Sequence, residues 1–335
     1  MWAEGTTPSG YIRRSLKTAN WEAAEEIRAS LEKGEEVKAA PMTIASAVNA
    51  YLADKKIENR AEGTLKIATR RLNELKTWCA SEGFQNLIEI NIVALRQFRQ
   101  SWIVGPSTAA NKQGTLFAFF HFCVKPDWLP SNPVAKLSKI KVDNPETGYF
   151  LPDEFERIVA ATATMRGPKA ARVNALILLM RWSGLRISDA VGVARNRLVG
   201  ENLFLYARKN NVPVYAPLPP HVLEALATMP TLSRSSAHHY FWTGKSKIET
   251  CANVWRRSLM TVFKAAGITK RCHPHMLRDT FAVEALLAGV PIDQVSLMLG
   301  HHSIKVTQDH YMPLVAARQE QISLSIRKMW PTAAA

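Results

Sequence analysis

The chain has 335 residues, with 43 Lys plus Arg against 28 Asp plus Glu for a formal charge of +15, and 47% of its residues are hydrophobic. That length and apolar content are ample for two packed cores without covalent staples, and the excess of cations calls for a polyanionic partner, nucleic acid first and a membrane surface second. Attachment to a membrane is set aside, because the longest apolar runs, 116–124 and 175–180, fall far short of the roughly 20 residues of a span, and no lipidation signal or basic amphipathic anchor stands out.

The first residues, MWAEGTTPSGYIRR, lack the charged-then-apolar order of a secretory signal, so a place in the cytosol is expected. Cys79, Cys123, Cys251 and Cys272 show no paired spacing and are expected to be reduced and mostly structural. Residues 21–33, WEAAEEIRASLEK, read as a short charged helix that Gly34 ends, within a lead segment, 1–41, whose function the sequence does not disclose.

A helical domain is predicted over 42–139. Leu65, Ala68, Leu72 and Leu75 recur at helical spacing and form one apolar face, while Lys66 and Arg70 share another. These two cations are candidates to lie along a phosphate backbone, against the plainer reading of a solvated charged face. A second helix is predicted over 107–123, with Phe117, Phe120 and Phe122 as core rather than as stacking platforms for bases, since they cluster with Leu116 and Ala118 and are not interleaved with basic residues. Pro126, Pro130, Pro133 and Pro145 lie among turn formers, and a linker is placed at 140–148.

The second domain, 149–335, opens with LPDEFERIVAA, where Asp153 is the expected helix cap and Pro152 bars extension backwards. VNALILLMRWSG follows as a buried helix ending at Gly184. Strand signals are confined to 203–207 and 212–216, alternating runs joined around Asn210 and Asn211 as a hairpin; everything afterwards reads as helix. The predicted class is mainly α with a small β-sheet.

Groups suited to a phosphodiester lie in order along this domain: Arg186 in GLRISDAV, Lys209 in the hairpin, His275 and Arg278 in HPHMLRDTF, His301 in LGHHSI and Tyr311 in TQDHYMPL. Singly each is weak. His275 and Arg278 stand three apart, so a helix points both at one locus, and Arg186 with Asp189 repeats the relation. Two guanidinium groups offset charge developing on a pentavalent phosphorus, and Asp189 is the candidate anion to hold Arg186 in place.

GLRISD, the hairpin lysine, HxLR, LGH and the terminal tyrosine together resemble the catalytic domain of the tyrosine recombinase, or phage integrase, family. The helical stretch ending in WLPSNP is similar to that family's core-binding domain. The resemblance covers about 42–330 and implies a two-domain C-shaped clamp on double-stranded DNA. It implies attack by Tyr311 on the scissile phosphate, with Arg186, Arg278 and His301 on the non-bridging oxygens. His275 would serve as general base or assist the phosphate, and Lys209 would give a proton to the departing 5′ oxygen. The sequence departs from the family pattern at Asp279, where many members carry a second His, and in having Tyr311 ten residues after His301, with His310 just before it.

Because a phosphotyrosyl ester stores the energy of the broken bond, no cofactor, ATP or metal is expected. TGKS at 243–246 lacks the earlier glycine of a phosphate-binding loop, whose place falls at His239, and is read as a loop after a YFW strand. Cys272, His273, His275, His301, His302 and His310 fit no common zinc spacing. Val315, Ile322, Ile326 and Met329 form a terminal apolar stripe, which the resemblance assigns to docking on a neighbouring subunit of a homo-tetramer. Accessory DNA-bending proteins and a nucleoid location follow in the same way. The rival readings are a type IB topoisomerase, a DNA-binding protein of the same fold without turnover, and a basic helical protein that binds RNA.

Overall fold

The computed structural model describes residues 1–7, 10–16, 20–33, 41–142, 147–229 and 238–311, together with 323, 326 and 327. The chain divides between Asn144 and Pro145 into two compact units. No helix among the described residues is long and apolar enough to cross a membrane.

The first unit opens with a β-hairpin, a correction to the expectation that strands are confined to the second domain. Strands β1 (Trp2–Thr7) and β2 (Gly10–Ser15) pair antiparallel, Trp2 opposite Ser15 and Thr6 opposite Tyr11. Helix α1 (Trp21–Glu32) follows, its first turn capped by the Asn20 side chain, which accepts from the Glu22 N–H at 2.9 Å. The hairpin escapes notice because its residues do not alternate apolar and polar; only the turn formers Pro8, Ser9 and Gly10 mark it.

The larger part of this unit is helical: α2 (Ile44–Ile57), α3 (Glu62–Ser81), α4 (Ile92–Gln100) and α5 (Pro106–Val124). Asn91 caps α4 by accepting from Val93 and Ala94 N–H at 2.8 and 3.0 Å. On α3 the predicted stripe points inward, with Leu72 and Leu75 fully buried and Leu65 and Ala68 partly so. On α5 the prediction is corrected in part. Phe119 and Phe120 fill the core and Phe122 packs at its edge, but Phe117 is 46% exposed and stacks on His121 one turn on. Cys79 and Cys123 lie in the same core, and burial pushes both thiols up to about 12.

In the second unit α6 (Pro152–Ala161) starts with Pro at its first position, but Asp153 is not its cap. Glu154 reaches back instead and accepts from the Leu151 N–H at 2.8 Å, while Lys270 bonds both Glu154 and the Tyr149 carbonyl. The central helix α7 (Pro168–Ser183) is buried on nearly every side and stops at Gly184, whose φ of +64° ends the helical path. Helix α8 (Ile187–Val191) follows at once. Strands β3 (Leu198–Val199), β4 (Asn202–Tyr206) and β5 (Pro213–Pro217) make an antiparallel sheet in chain order, and Asn211 takes the positive φ, +55°, in the β4–β5 turn.

Helices α9 (Pro220–Ala227), α10 (Ile248–Ala265), α11 (His275–Leu287) and α12 (Ile292–Met298) complete the named elements, and residues 304–311 are helical. The YFW segment is not a strand. His239 alone bridges to Ala194, and the carbonyls of Tyr240 and Phe241 accept from Arg172 and Trp255 side chains rather than from a neighbouring strand. Residues 243–246 form a turn closed by Trp242 Nε1 donating to the Ser246 carbonyl at 3.0 Å. Of the terminal stripe, Val315, Ile322 and Met329 lie outside the described residues, and Ile326 is helical and exposed.

Gly184 places the turn on which the site is built, and a Cβ there would stand 2.5 Å from Phe281 and 3.0 Å from Leu299. Gly244 also has positive φ, +79°, yet faces open space. Gly184→Ala is expected to lose about 3 kcal/mol, from backbone strain plus overpacking, and Gly244→Ala about 1 kcal/mol from strain alone. Urea unfolding followed by tryptophan fluorescence measures both; equal losses would mean that crowding by Phe281 is not what demands glycine at 184.

Candidate active site

Arg278, in the first turn of α11, is 2% exposed and carries the densest set of bonds in the second unit's polar centre. Nη1 donates to the Gly184 carbonyl at 2.7 Å, and Nη2 donates to the Leu299 carbonyl at 2.7 Å and lies 2.8 Å from His301 Nε2. One guanidinium thus gathers the end of α7, the start of α11 and the turn after α12. Burial first, and Arg186 next, lower its pKa to about 10, so it stays protonated at neutral pH.

A guanidinium has no acceptor, so the contact with Arg278 requires His301 Nε2 to be the accepting nitrogen. The proton then sits on Nδ1, which donates to Thr307 Oγ1 at 2.8 Å. The electrostatics agree: burial, followed by Arg278 and Arg186, pushes His301 down to about 3, leaving it neutral. Gly300, at φ +61°, makes the turn that delivers this histidine.

Tyr311 lies at the other edge of the cluster, 2% exposed among Ala282, Val283, Leu286, Val295 and Leu299. Its hydroxyl donates to Asp279 Oδ1 at 2.9 Å. Burial, and then the Asp279 charge, raises the tyrosine pKa, while burial lifts Asp279 to about 6. At neutral pH the pair is therefore a phenol bonded to a carboxylate. His275 Nε2 lies 3.7 Å from the same carboxylate oxygen, and the ring is pushed toward its neutral form by burial and by the nearby Arg278 and Arg186. Half of the His275 side chain remains open to solvent, which moderates that fall.

Arg186 is the N-cap residue of α8 and is half-buried, close enough to act on Arg278, His275 and His301 through its charge. Its Nη1 is buried with no acceptor among the described residues, and so is Arg278 Nε. The expected clasp of Asp189 on Arg186 is not formed as a direct bond. Asp189 accepts instead from the backbone N–H of Arg208 at 3.0 Å, the residue before Lys209, because the β4–β5 hairpin passes over the start of α8. Burial raises the pKa of this carboxyl and the Arg186 charge acts against the rise, so the two groups interact at a distance.

Lys209 is exposed in the hairpin turn. Its neighbour Asn210 donates from Nδ2 to the Gly300 carbonyl at 2.9 Å, which fixes the hairpin to the turn bearing His301. The structure thus brings Arg278 and His301 into direct contact, gathers Tyr311 and His275 about Asp279, and ties the lysine turn to both Asp189 and Gly300. Lys66 and Arg70 are elsewhere, exposed on α3 of the first unit, where Lys66 pairs with Glu62 at 2.8 Å and Arg70 approaches Glu74 at 3.9 Å.

Asp279, Thr307 and Arg208 take part without a role that the sequence foretells, and Asn210, expected only as a turn former of the hairpin, adds the bond to Gly300. Asp279 was within reach of periodicity, since it lies four residues after His275 and so shares a helical face with it. Thr307, Arg208 and Asn210 act from other elements, through one side chain, one backbone N–H and one amide, and no spacing announces them. Among the described residues, no three His, Cys, Asp or Glu side chains converge as metal ligands would.

Residues 149–318 match the model of the phage integrase family. A tyrosine recombinase XerC of Xanthomonas campestris pv. campestris is 25% identical over 268 residues, covering 78% of this chain and 83% of that protein. A tyrosine recombinase XerD of Caulobacter vibrioides is 27% identical over 218 residues, covering 61% of this chain and 70% of its own length. Among solved structures, a XerH site-specific recombinase bound to a palindromic difH substrate superposes with a TM-score of 0.66 at 16% identity, over 92% of this chain and 90% of that one. A lambda integrase tetramer bound to a Holliday junction gives 0.64 at 17% identity, over 90% and 93%. At such identities the structural likeness is one of fold, mostly helical with small antiparallel sheets. The family match spans the whole polar cluster from Arg186 to Tyr311, and the chain belongs to the phage integrase family, the tyrosine recombinases.

Proposed function

We propose that this recombinase breaks and rejoins double-stranded DNA at specific sites through a phosphotyrosyl intermediate on Tyr311. The observation that carries the residue assignment is the pair of buried guanidinium donors without acceptors, Arg186 Nη1 and Arg278 Nε, in the cluster that also holds His301 and Tyr311. Buried donors that lack acceptors favour an anion, and a scissile phosphate supplies oxygens to both. In the step so proposed, the Tyr311 oxygen bonds to phosphorus as the bond from phosphorus to the 5′ oxygen breaks. The phenolic proton passes to neutral His275, and Lys209 protonates the departing 5′ oxygen. Arg186 and Arg278 hold the non-bridging oxygens, where charge builds in the transition state, and His301 joins them as a donor once the entering anion draws Arg278 from its Nε2 and that nitrogen takes up a proton. Reversal with a second 5′ hydroxyl reseals the strand without ATP or metal.

The structural relatives include a lambda integrase tetramer on a Holliday junction, and a homo-oligomer on DNA is the corresponding proposal here. Docking of residues 315–329 on a neighbouring subunit, a tetramer as the working state, accessory DNA-bending proteins and an origin in a mobile element belong to the same reading. A DNA substrate puts the work in the cytoplasm, at the nucleoid.

Tyr311→Phe is expected to abolish covalent attachment to a nicked suicide substrate on a denaturing gel while leaving DNA affinity nearly intact. The wild-type adduct should form equally well in EDTA. An adduct formed by the Phe variant would sink the nucleophile assignment. The two arginines should separate in a second experiment. Removing one oxyanion donor costs about 100-fold in rate or more, so Arg186→Ala should cleave at least that much more slowly with an unchanged urea midpoint. Arg278→Ala should lose cleavage and about 3 kcal/mol of stability together, because two buried carbonyls are stripped of their donor. A third measurement concerns the first unit. If Lys66 and Arg70 lie on phosphates, Lys66→Ala/Arg70→Ala should lower the slope of log affinity against log salt by about 2; an unchanged slope makes them ordinary solvated cations.

A further inference from the structure

Tyr311 stands in this structure in the poorest state for a nucleophile. Its side chain is 2% exposed, and its ring lies among the aliphatic residues of α11 and α12. A phosphate within a duplex, flanked by its sugars, has no approach to a hydroxyl so enclosed. That hydroxyl is also committed, donating at 2.9 Å to a carboxylate that is itself 6% exposed. A charge-assisted hydrogen bond of this kind is roughly twice as strong as a neutral one, and it opposes loss of the phenolic proton.

Asp279 is placed for this task by its position alone. It follows Arg278 directly, so the helix turn that buries the guanidinium sends the next side chain toward the chain segment carrying Tyr311. His275 Nε2, at 3.7 Å, is too far to hydrogen-bond the same oxygen in competition. A second fastening acts one residue away, where the Thr147 hydroxyl donates to the His310 carbonyl. Thr147 lies at the start of the second unit, in the stretch that Phe150 N–H ties to Thr280 Oγ1 of α11 at 2.9 Å.

We propose that Asp279 is a positioning residue that latches Tyr311 inward in the DNA-free chain, keeping the nucleophile enclosed and protonated until assembly on DNA breaks the contact. The proposal rests on the reading of Tyr311 as the nucleophile. It assigns the hold on that tyrosine to one carboxylate, at the residue where this chain departs from the pattern HxLRH.

The test uses the full chain in three forms: wild type, Asp279→Ala and Asp279→Asn. Single-turnover cleavage of a nicked suicide substrate at saturating DNA is followed alongside NMR titration of ¹³Cζ-labelled tyrosine in the DNA-free protein, with the Tyr311 signal assigned from Tyr311→Phe. Loss of one charge-assisted bond corresponds to about a tenfold change in an equilibrium. Asp279→Ala is therefore expected to cleave about tenfold faster and to let Tyr311 titrate at lower pH, with Asp279→Asn between it and wild type. Should the Ala variant fail to fold, the Asn variant, of the same shape, carries the test with the same expected direction. Slower cleavage by either variant would overturn the latch and make Asp279 the acceptor of the tyrosine proton. An unmoved Tyr311 titration would overturn it too. Both outcomes leave the Tyr311 adduct in place and so differ from failure of the nucleophile reading, in which Tyr311→Phe still becomes attached to DNA.

Discussion

A buried positive charge needs compensation from every side, and in the second unit Arg278 meets that need with backbone carbonyls rather than with a partnered carboxylate. An uncompensated charge at 2% exposure would be very costly, so the carbonyls of Gly184 and Leu299 are held in place as strictly as the arginine. Much of the local architecture serves this arrangement. The left-handed glycine at 184 turns its carbonyl toward α11, and the segment after α12 returns to present the other carbonyl and then His301.

From that constraint the protonation pattern of the cluster follows. A guanidinium pressed against His301 admits only the neutral ring with its proton on Nδ1, and Thr307 is the acceptor for that proton. Arg186, brought close by the same Gly184 turn, adds a second positive charge that presses on both histidines. Two arginines, two neutral imidazoles and two carboxyls raised by burial make a site that is positive, largely desolvated and short of acceptors. Such an environment strengthens any hydrogen bond that its unpaired guanidinium donors make. Tyr311 is held apart from it, bonded to Asp279 in an apolar niche.

The first unit carries none of this polar machinery and holds together differently, by an aromatic and aliphatic core around Phe119, Phe120, Leu72 and Leu75. Its charged side chains stay at the surface in pairs such as Lys66 with Glu62. Exposed pairs of this sort are worth little to stability, so the core does not depend on them.

Much was settled by the sequence alone. Helical spacing of apolar residues placed α3, clustered or nearly unbroken apolar runs placed α5 and α7, turn-forming asparagines placed the β4–β5 hairpin, and the ordered set from Arg186 to Tyr311 identified the family, because pattern and a specific series of polar groups are properties of neighbours along the chain. What the tertiary structure decided lies between segments distant along the chain. Asp189 turned from Arg186 to the Arg208 N–H, and Tyr311 found Asp279, because each polar group buried by packing takes whichever partner the fold brings within reach. The N-terminal hairpin and the exposed Phe117 teach the same lesson at smaller scale. Backbone pairing of polar strands and the facing of a single ring depend on what lies across from them, and a residue's own neighbours in sequence do not carry that information.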